Sequence, residues 1–339
     1  MTARNIHLVG SIGLESAGDV FRMLGDLLGD KASRYPDGEP GVRHYWIVWQ
    51  TRLFSEHPEF EVGGTVPPPA EGAPQLKLYR IRDGVDPKSL EFPPLGYAAE
   101  ALESFRLFAE FRDNGQIPKD TRFLVALPTP AAVIGAFVET EQASDIEPAY
   151  TRAMVRDLNA ILEGIPNEDL AIQWDVCLEL VAHEGGRPFY LDDPRAHALE
   201  SVPYLMGLIP EATEAGFHLC YGDPGHKHII EPRDLATSVD WANEICAKTP
   251  RRVDFVHMPV PRDRNDDDYF APLVDLDIGD TELSLGLVHH TDGLAGTKAR
   301  IDTAEKYVMD FGIATECGFG RRPVETIPEL LRIHAEAAG

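Results

Sequence analysis

The chain has 339 residues, with 31 Lys and Arg against 56 Asp and Glu, and a formal net charge of −25 at pH 7. So acidic a chain excludes a general nucleic-acid binder, which needs a basic face for counterion release, and it speaks against binding to an anionic membrane surface. No apolar run approaches the ~18 residues of a membrane span, and the 43% hydrophobic content is that of a soluble globule able to bury a large core.

The first residues, MTARNIHLVGSIG, carry no basic-then-apolar signal region, which predicts a cytoplasmic protein. Eight short apolar runs then read as strands: 6–13, 43–50, 122–127, 170–176, 215–221, 253–258, 283–289 and 311–317. Several are continuous rather than alternating, as parallel strands covered by helices are. Between them lie apolar stripes at helical spacing, such as Val20, Leu24, Leu27 and Leu28, or Tyr150, Met154, Leu158 and Ile161. Similar stripes run through 102–109, 199–209, 235–246, 301–308 and 327–331. Eight alternations of strand and helix predict an α/β fold of the (β/α)8 TIM-barrel type, one domain over 1–339. Two excursions read as irregular insertions after strands 2 and 4. The stretch 51–94 is Pro/Gly-rich, with a hairpin or lid expected at QLKLYRIRDG, and a small second domain is its alternative reading. The other is 178–193, containing EGGRPFYLDD.

In such a barrel the chemistry sits at the carboxyl ends of the strands. Those ends carry Trp174 and Asp175, His218 and Cys220, His257, His289 and His290, and Cys317 followed by Arg321 and Arg322. His218 and Cys220 are two apart on a strand and share a face. Cys317 at the matching end makes three ligands, and one His with two Cys is a Zn²⁺ set that leaves a fourth position open. A substrate thiol on that position is held as thiolate, a nucleophile suited to alkyl transfer. The bland reading is that H-x-C is a weak motif and that buried cysteines are common in cores. Cys246 falls on a helical stripe and reads as core, and Cys177 as a packed thiol beside Asp175. His289 and His290, next to Asp292, are candidates for moving protons near pH 7. Arg321 and Arg322 could grip a carboxylate bidentately, one of them being structural. His226 and His228 lie in the loop GDPGHKH, either a surface turn or a substrate contact. Arg34, Asp37, Glu39 and Arg43 form a loop that either gates the site or is simply solvated.

Three segments, H-L-C-Y at 218–221, I-Q-W-D at 172–175 and E-C-G-F-G-R at 316–321, resemble the catalytic barrel of cobalamin-independent methionine synthase, which reads H-x-C-Y, I-Q-I-D-E and D-C-G-x-x-x-R there. G-S-I-G at 10–13 is similar to the family's first-strand turn, and YPDGEPGVRHYWIVWQ (35–50) resembles single-barrel members of the uroporphyrinogen decarboxylase/methionine synthase superfamily. The resemblance implies zinc on His218, Cys220 and Cys317, and substrate binding by Asp175. Two departures stand out. The family's further zinc ligand, a Glu at the end of strand 6, has no counterpart in VHMPVPR, where His257 is the substitute, and Val176 stands where the family has Glu, which speaks against homocysteine as acceptor. One barrel length and an acidic chain also speak against a polyglutamyl folate as donor. A corrinoid, a small methylated compound or an epoxide (as in the related coenzyme M alkyltransferases) stays open, as does a homodimer.

The first expectation is a zinc-dependent methyl- or alkyltransferase acting on a small thiol. The second keeps the barrel but makes it a lyase or decarboxylase on a small, possibly aromatic, acid, using the rim His and Arg residues. The third is a metal- or cobalamin-binding protein without catalysis.

Overall fold

A computed structural model describes residues 3–67, 75–225 and 227–339. Its main sheet is parallel and has seven strands: β1 Arg34–Pro36, β4 Arg122–Pro128, β5 Leu170–Val176, β6 Glu214–Leu219, β7 Phe255–Pro259, β8 Glu282–Gly286 and β9 Gly312–Ile313, each hydrogen-bonded to the next in that order. A separate antiparallel hairpin pairs β2 Phe60–Val66 with β3 Leu76–Ile81, with an irregularity between Val62 and Gly64. Its Phe60, Tyr79 and Ile81 join the same apolar core as the main sheet and its helices. Among the described residues no helix is long and apolar enough to cross a membrane.

The helical stripes become helices where their spacing places them, at Ala17–Leu27, Tyr97–Asp113, Thr140–Gly164, Pro194–Gly207, Ala236–Lys248, Gly293–Ala304 and Ile327–Ala338. Four further helices among the described residues, Thr51–Glu56, Pro130–Phe137, Leu178–His183 and Asp267–Phe270, are too short or too uniformly apolar to show a period.

Strand alternation sorts the side chains. In β5, Ala171, Gln173 and Asp175 face one way, and Ile172, Trp174 and Val176 face the helices. Trp174 is fully buried there. The register sets Asp175 beside His218, His218 beside His257 and His257 beside Ser284, so one row of polar side chains crosses four strands. Below it Leu124, Ala171 and Phe255 form a small apolar cluster of their own.

Two expected strands differ. The run 43–50 is not a strand but a pair of 3-10 turns, Gly41–Tyr45 and Val48–Gln50, and the true second strand is β1, inside the stretch read as a loop. The physical cause is Trp46, whose φ of +54° breaks an extended chain and turns Tyr45, Trp46, Ile47 and Val48 onto a cavity wall. The run 6–13 forms no ladder. It makes single parallel bridges instead, Ile6 to Ile313, Ser11 to Gly38 and Ile12 to Phe319, and so contacts both edges of the curled sheet. Gly318 makes this approach possible, because a Cβ there would lie 2.4 Å from Ser11 Oγ.

Candidate metal and substrate site

At the carboxyl end of the sheet lies a cavity of about 160 Å³. Its walls come from 9–11, the 45–48 turn, Leu76 of β3, the end of the Pro130–Phe137 helix, the ends of β5 and β6, and Cys317 with Arg321.

His218, Cys220 and Cys317 meet there. One donor atom from each lies within 4.8 Å of the other two, and the sulfurs of Cys220 and Cys317 are 3.7 Å apart. Two thiolates on a tetrahedral zinc, each at about 2.3 Å, would sit ~3.8 Å apart, so the spacing suits that ion. His218 supplies the sharper test. Its Nδ1 lies 2.7 Å from His257 Nδ1, while its buried Nε2 has no hydrogen-bond partner. Burial holds both imidazoles well below their ordinary pKa, so both are neutral and one Nδ1 must donate to the other. If His218 Nδ1–H donates, its Nε2 keeps a lone pair, the form a metal requires.

The sulfurs agree. The Cys177 thiol beside Cys220, together with burial, pushes Cys220 well above the usual thiol range, and Cys220 and burial do the same to Cys317. Two adjacent buried thiolates are untenable without a cation, and a dication reverses that penalty. The backbone N–H of Gly222 already donates to Cys220 Sγ at 3.2 Å, a contact favoured by charge on the sulfur. Gly222 takes a φ of +74°, which glycine adopts at little cost.

Beside the trio stand two carboxyls. Asp175 has both oxygens fixed, Oδ1 accepting from Gln173 Nε2 at 2.8 Å and Oδ2 from Trp46 Nε1 at 3.1 Å. Gln173 is itself held by the Val9 carbonyl at 2.6 Å and by His7 at 2.9 Å. Burial raises Asp175 to about 7, against those hydrogen bonds. Burial and the nearby Asp175 raise Glu39 to about 8. Glu39 faces the cavity with a φ of +53°, in a turn clamped by the buried Asp37, which binds Arg43 and Ser104 at 2.7 Å each. Glu39 and Trp46 are the two non-glycine residues with positive φ among the described residues, and both line this cavity. Backbone strain of this kind collects where the fold serves a ligand.

Other sequence candidates lie elsewhere. His257 stands behind His218 as its hydrogen-bond partner and is not in the three-atom group. Arg321 reaches the cavity, tied to Asp223 through Oδ2 at 3.4 Å and the carbonyl at 3.2 Å. Arg322, Trp174, His228, His289 and His290 are off the cavity wall. The β5 alternation turns Trp174 to the helices. His228 sits between Glu231 at 3.1 Å and Glu316 at 3.4 Å, His289 Nε2 faces the Val260 carbonyl at 2.9 Å, and His290 Nε2 meets Glu329 at 3.2 Å on the last helix. Asp292, expected to assist these histidines, is instead bound bidentately by Arg300 at 2.7 and 2.8 Å. His226 lies outside the described residues. Of the gating-loop candidates, Glu39 alone reaches the main cavity, and Arg34 is at the opposite end of the sheet. Sequence reasoning missed Arg187 and set aside Cys177, both on the wall; the insertion around EGGRPFYLDD was the available signal for Arg187.

No family model matches the chain, and no curated protein matches it. Among solved structures it is similar to a B12-independent methionine synthase from Shewanella sp. W3-18-1 in complex with selenomethionine, at 12% identity and a TM-score of 0.58, with 100% of this chain and 97% of the other covered. It is similar also to a methyltransferase from Methanosarcina mazei, at 11% identity and a TM-score of 0.54, over 99% and 94% of the two chains. The likeness is one of fold: an α/β chain with a curled parallel sheet, which a methionine synthase and a methyltransferase share.

Proposed function

We propose that the protein is a zinc-dependent enzyme that transfers a methyl or other small alkyl group to or from a small thiol. The observation that carries this reading is the convergence of His218, Cys220 and Cys317, with the buried Nε2 of His218 left without a hydrogen-bond partner among the described residues. The fold supports it as a (β/α)8 barrel, in which 5–12 fills the gap between β9 and β1 through its bridges to both edges, and 51–94 is an insertion of a single domain.

Zinc, when bound, supplies a Lewis-acid centre that keeps a sulfur ligand anionic at neutral pH. The rest of the chemistry falls to the protein. His257 fixes the ring and tautomer of His218, and Gly222 N–H steadies Cys220. Asp175, immobilised through both oxygens, orients the substrate. In the reaction the thiol loses its proton, its sulfur forms a bond to the alkyl carbon, and the donor's leaving group departs with the electron pair of the broken bond. Glu39 and Asp175, both raised toward neutrality, can take that proton or return it to the leaving group. The apolar wall from Tyr45, Ile47, Leu76, Phe137 and Ile229 keeps water from the alkyl group. The donor is a small methylated compound, a corrinoid or an epoxide.

Metal analysis tests the proposal. The purified protein is expected to hold about one zinc per chain, lost in Cys220→Ser, with an absorption-edge spectrum of two sulfur scatterers and one imidazole. A protein that turns over substrate without metal, or a C220S variant that keeps its zinc, overturns it.

A further inference from the structure

We infer that His7 is a positioning residue that joins the two halves of the site: its Nε2–H fixes the Gln173 amide beside Asp175, and its ring backs the His257 imidazole that orients His218. The inference rests on the proposed function only for what the two halves hold, a substrate and a metal. The joint itself stands on contacts within the chain.

His7 lies in the 6–13 run, anchored by its backbone N–H to the Ile313 carbonyl at 2.9 Å. It is 1% exposed and is not on the cavity wall, so it acts on a ligand only through other residues. The proton positions around it follow from donors and acceptors alone. A carbonyl can only accept, so the Gln173 atom 2.6 Å from the Val9 oxygen is its amide nitrogen. The second hydrogen of that nitrogen goes to Asp175 Oδ1 at 2.8 Å, which turns Gln173 Oε1 to His7 Nε2 at 2.9 Å. Oε1 only accepts, so Nε2 carries the hydrogen. Burial, with the Arg34 charge, holds His7 down to about 3, so the ring is neutral and its single N–H is engaged with Gln173. Donation therefore runs one way, from His7 to Gln173 and from Gln173 to Asp175, and links of one sense strengthen each other. A turned-over Gln173 amide would set donor against donor at His7 and acceptor against acceptors at Val9 and Asp175.

The ring has a separate task. It stacks on His257, with centroids 5.6 Å apart and an interplanar angle of 27°, and Phe255 packs against it at 5.4 Å. His257 in turn meets His218 Nδ1 to Nδ1 at 2.7 Å. A metal-binding imidazole is aimed by what its other nitrogen touches, and that partner is aimed by its own packing. Imidazole combines a flat face with a ring N–H at this spot. Phenylalanine would keep the face alone, and glutamine, whose amide nitrogen reaches about as far as Nε2, the donor alone.

His7→Phe and His7→Gln therefore separate the two tasks. NMR of the isotope-labelled full chain, with and without added zinc, reads both arms: the Gln173 side-chain amide and the ring N–H shared by His218 and His257. H7F is expected to speed hydrogen exchange of the Gln173 amide by about tenfold or more, and to leave the shared ring signal as in the wild type. H7Q is expected to do the reverse, keeping the amide slow and shifting or broadening the ring signal. Competition against a chromophoric chelator reads the consequence: zinc affinity falls about threefold or more in H7Q and stays within about twofold of the wild type in H7F. Two variants that behave alike on both NMR readouts, whether by matching the wild type or by failing to fold, show that His7 only fills space and overturn the inference. Equal zinc affinity of H7F and H7Q, in a protein whose wild type binds zinc, overturns it as well. Arms that separate as expected in a wild type that binds no zinc leave the joint standing and remove the zinc reading instead.

Discussion

The two ends of the main sheet use the same kinds of residue to opposite purposes. At the amino end, the first residues of β1, β4, β6 and β8 are Arg34, Arg122, Glu214 and Glu282. Arg34 meets Glu214 at 2.6 Å and Glu282 at 2.9 Å, Arg122 meets Glu214 at 3.0 Å, and the Arg34 guanidinium lies 4.2 Å from the centre of the Phe255 ring. One nitrogen, Arg34 Nη1, is left without a hydrogen bond. At the carboxyl end Asp175 and Glu39 are raised toward neutrality, His218 Nε2 is unpartnered among the described residues, and two thiols abut. Where charges are answered within the chain they clamp the strands, and where they are left unanswered they await a ligand. That division is the one expected of a sheet whose carboxyl face is the working face.

The largest expected effect comes from the unanswered end. Cys220→Ser keeps the side-chain shape but removes a thiolate donor, so zinc affinity should fall by about 100-fold or more and alkyl transfer should disappear. The metal-free protein should unfold at nearly the wild-type urea concentration, because no folded-state contact of comparable strength is lost. Zinc competition against a chromophoric chelator and urea titration in the presence of chelator check the two halves. A large stability loss with zinc retained would reverse the roles given to the two ends.

The mirror experiment is Arg34→Met. It takes the cation from Glu282 and one of two cations from Glu214, which keeps Arg122, and breaking a buried ion pair from one side costs at most about 3–5 kcal/mol. Urea unfolding should show that loss while zinc content stays at the wild-type level. If R34M instead released zinc without unfolding, the amino end would belong to the site.

Much of this was legible in the sequence, and what was missed has definite causes. The seven helical stripes fell where the helices are, because amphipathic spacing is imposed by the core they cover. The clustering of His218, Cys220 and Cys317 was legible because H-x-C along a strand direction fixes two side chains to one face, and Cys317 lay at the end of another expected strand. The run 43–50 misled because aromatic and β-branched residues mark both a strand and an apolar cavity wall. Only the backbone of Trp46 tells them apart. The rim histidines misled for another reason. Position at a strand end does not say which way a side chain turns, and His289 and His290 turn to Val260 and Glu329. Arg187 escaped notice because its place on the cavity wall exists only in three dimensions.

A subtler effect lies in the pH dependence of stability. The folded chain keeps protons on Asp175 up to about 7 and on Glu39 up to about 8, whereas unfolded carboxyls lose theirs near 4. The folded state thus binds more protons over that interval, and stability from these groups is full below about pH 4 and drains away as pH rises through 7 and 8. Each contributes a slope of at most about 1.4 kcal/mol per pH unit. The buried, neutral His7, His218 and His257 act in the opposite sense, their contribution being lost as pH falls, so the wild-type curve alone is ambiguous. The difference between wild type and Asp175→Asn isolates one group. In zinc-free protein its urea-derived stability gap should narrow or reverse in favour of the variant as pH rises from 5 to 8. A gap independent of pH would mean that Asp175 is ionised throughout and is answered by a charge, as at the amino end.

The smallest effect should come from His290, which sits at a strand end yet belongs to neither class of charge. Its Nε2 meets Glu329 at 3.2 Å, the glutamate side chain is 68% exposed, and neither residue lines the main cavity. An ion pair so wet is worth about 0–1 kcal/mol and is screened by salt. His290→Ala should therefore change unfolding free energy by less than about 0.5 kcal/mol at 0.15 M salt and leave turnover and zinc affinity as they were. The variant is informative because the competing idea is specific: a rim imidazole that carried the thiol proton would lower the rate of alkyl transfer by about 100-fold or more when removed. Unchanged turnover in H290A, beside a rate loss in Glu39→Gln, would place proton transfer on the cavity carboxyls and leave His290 as surface.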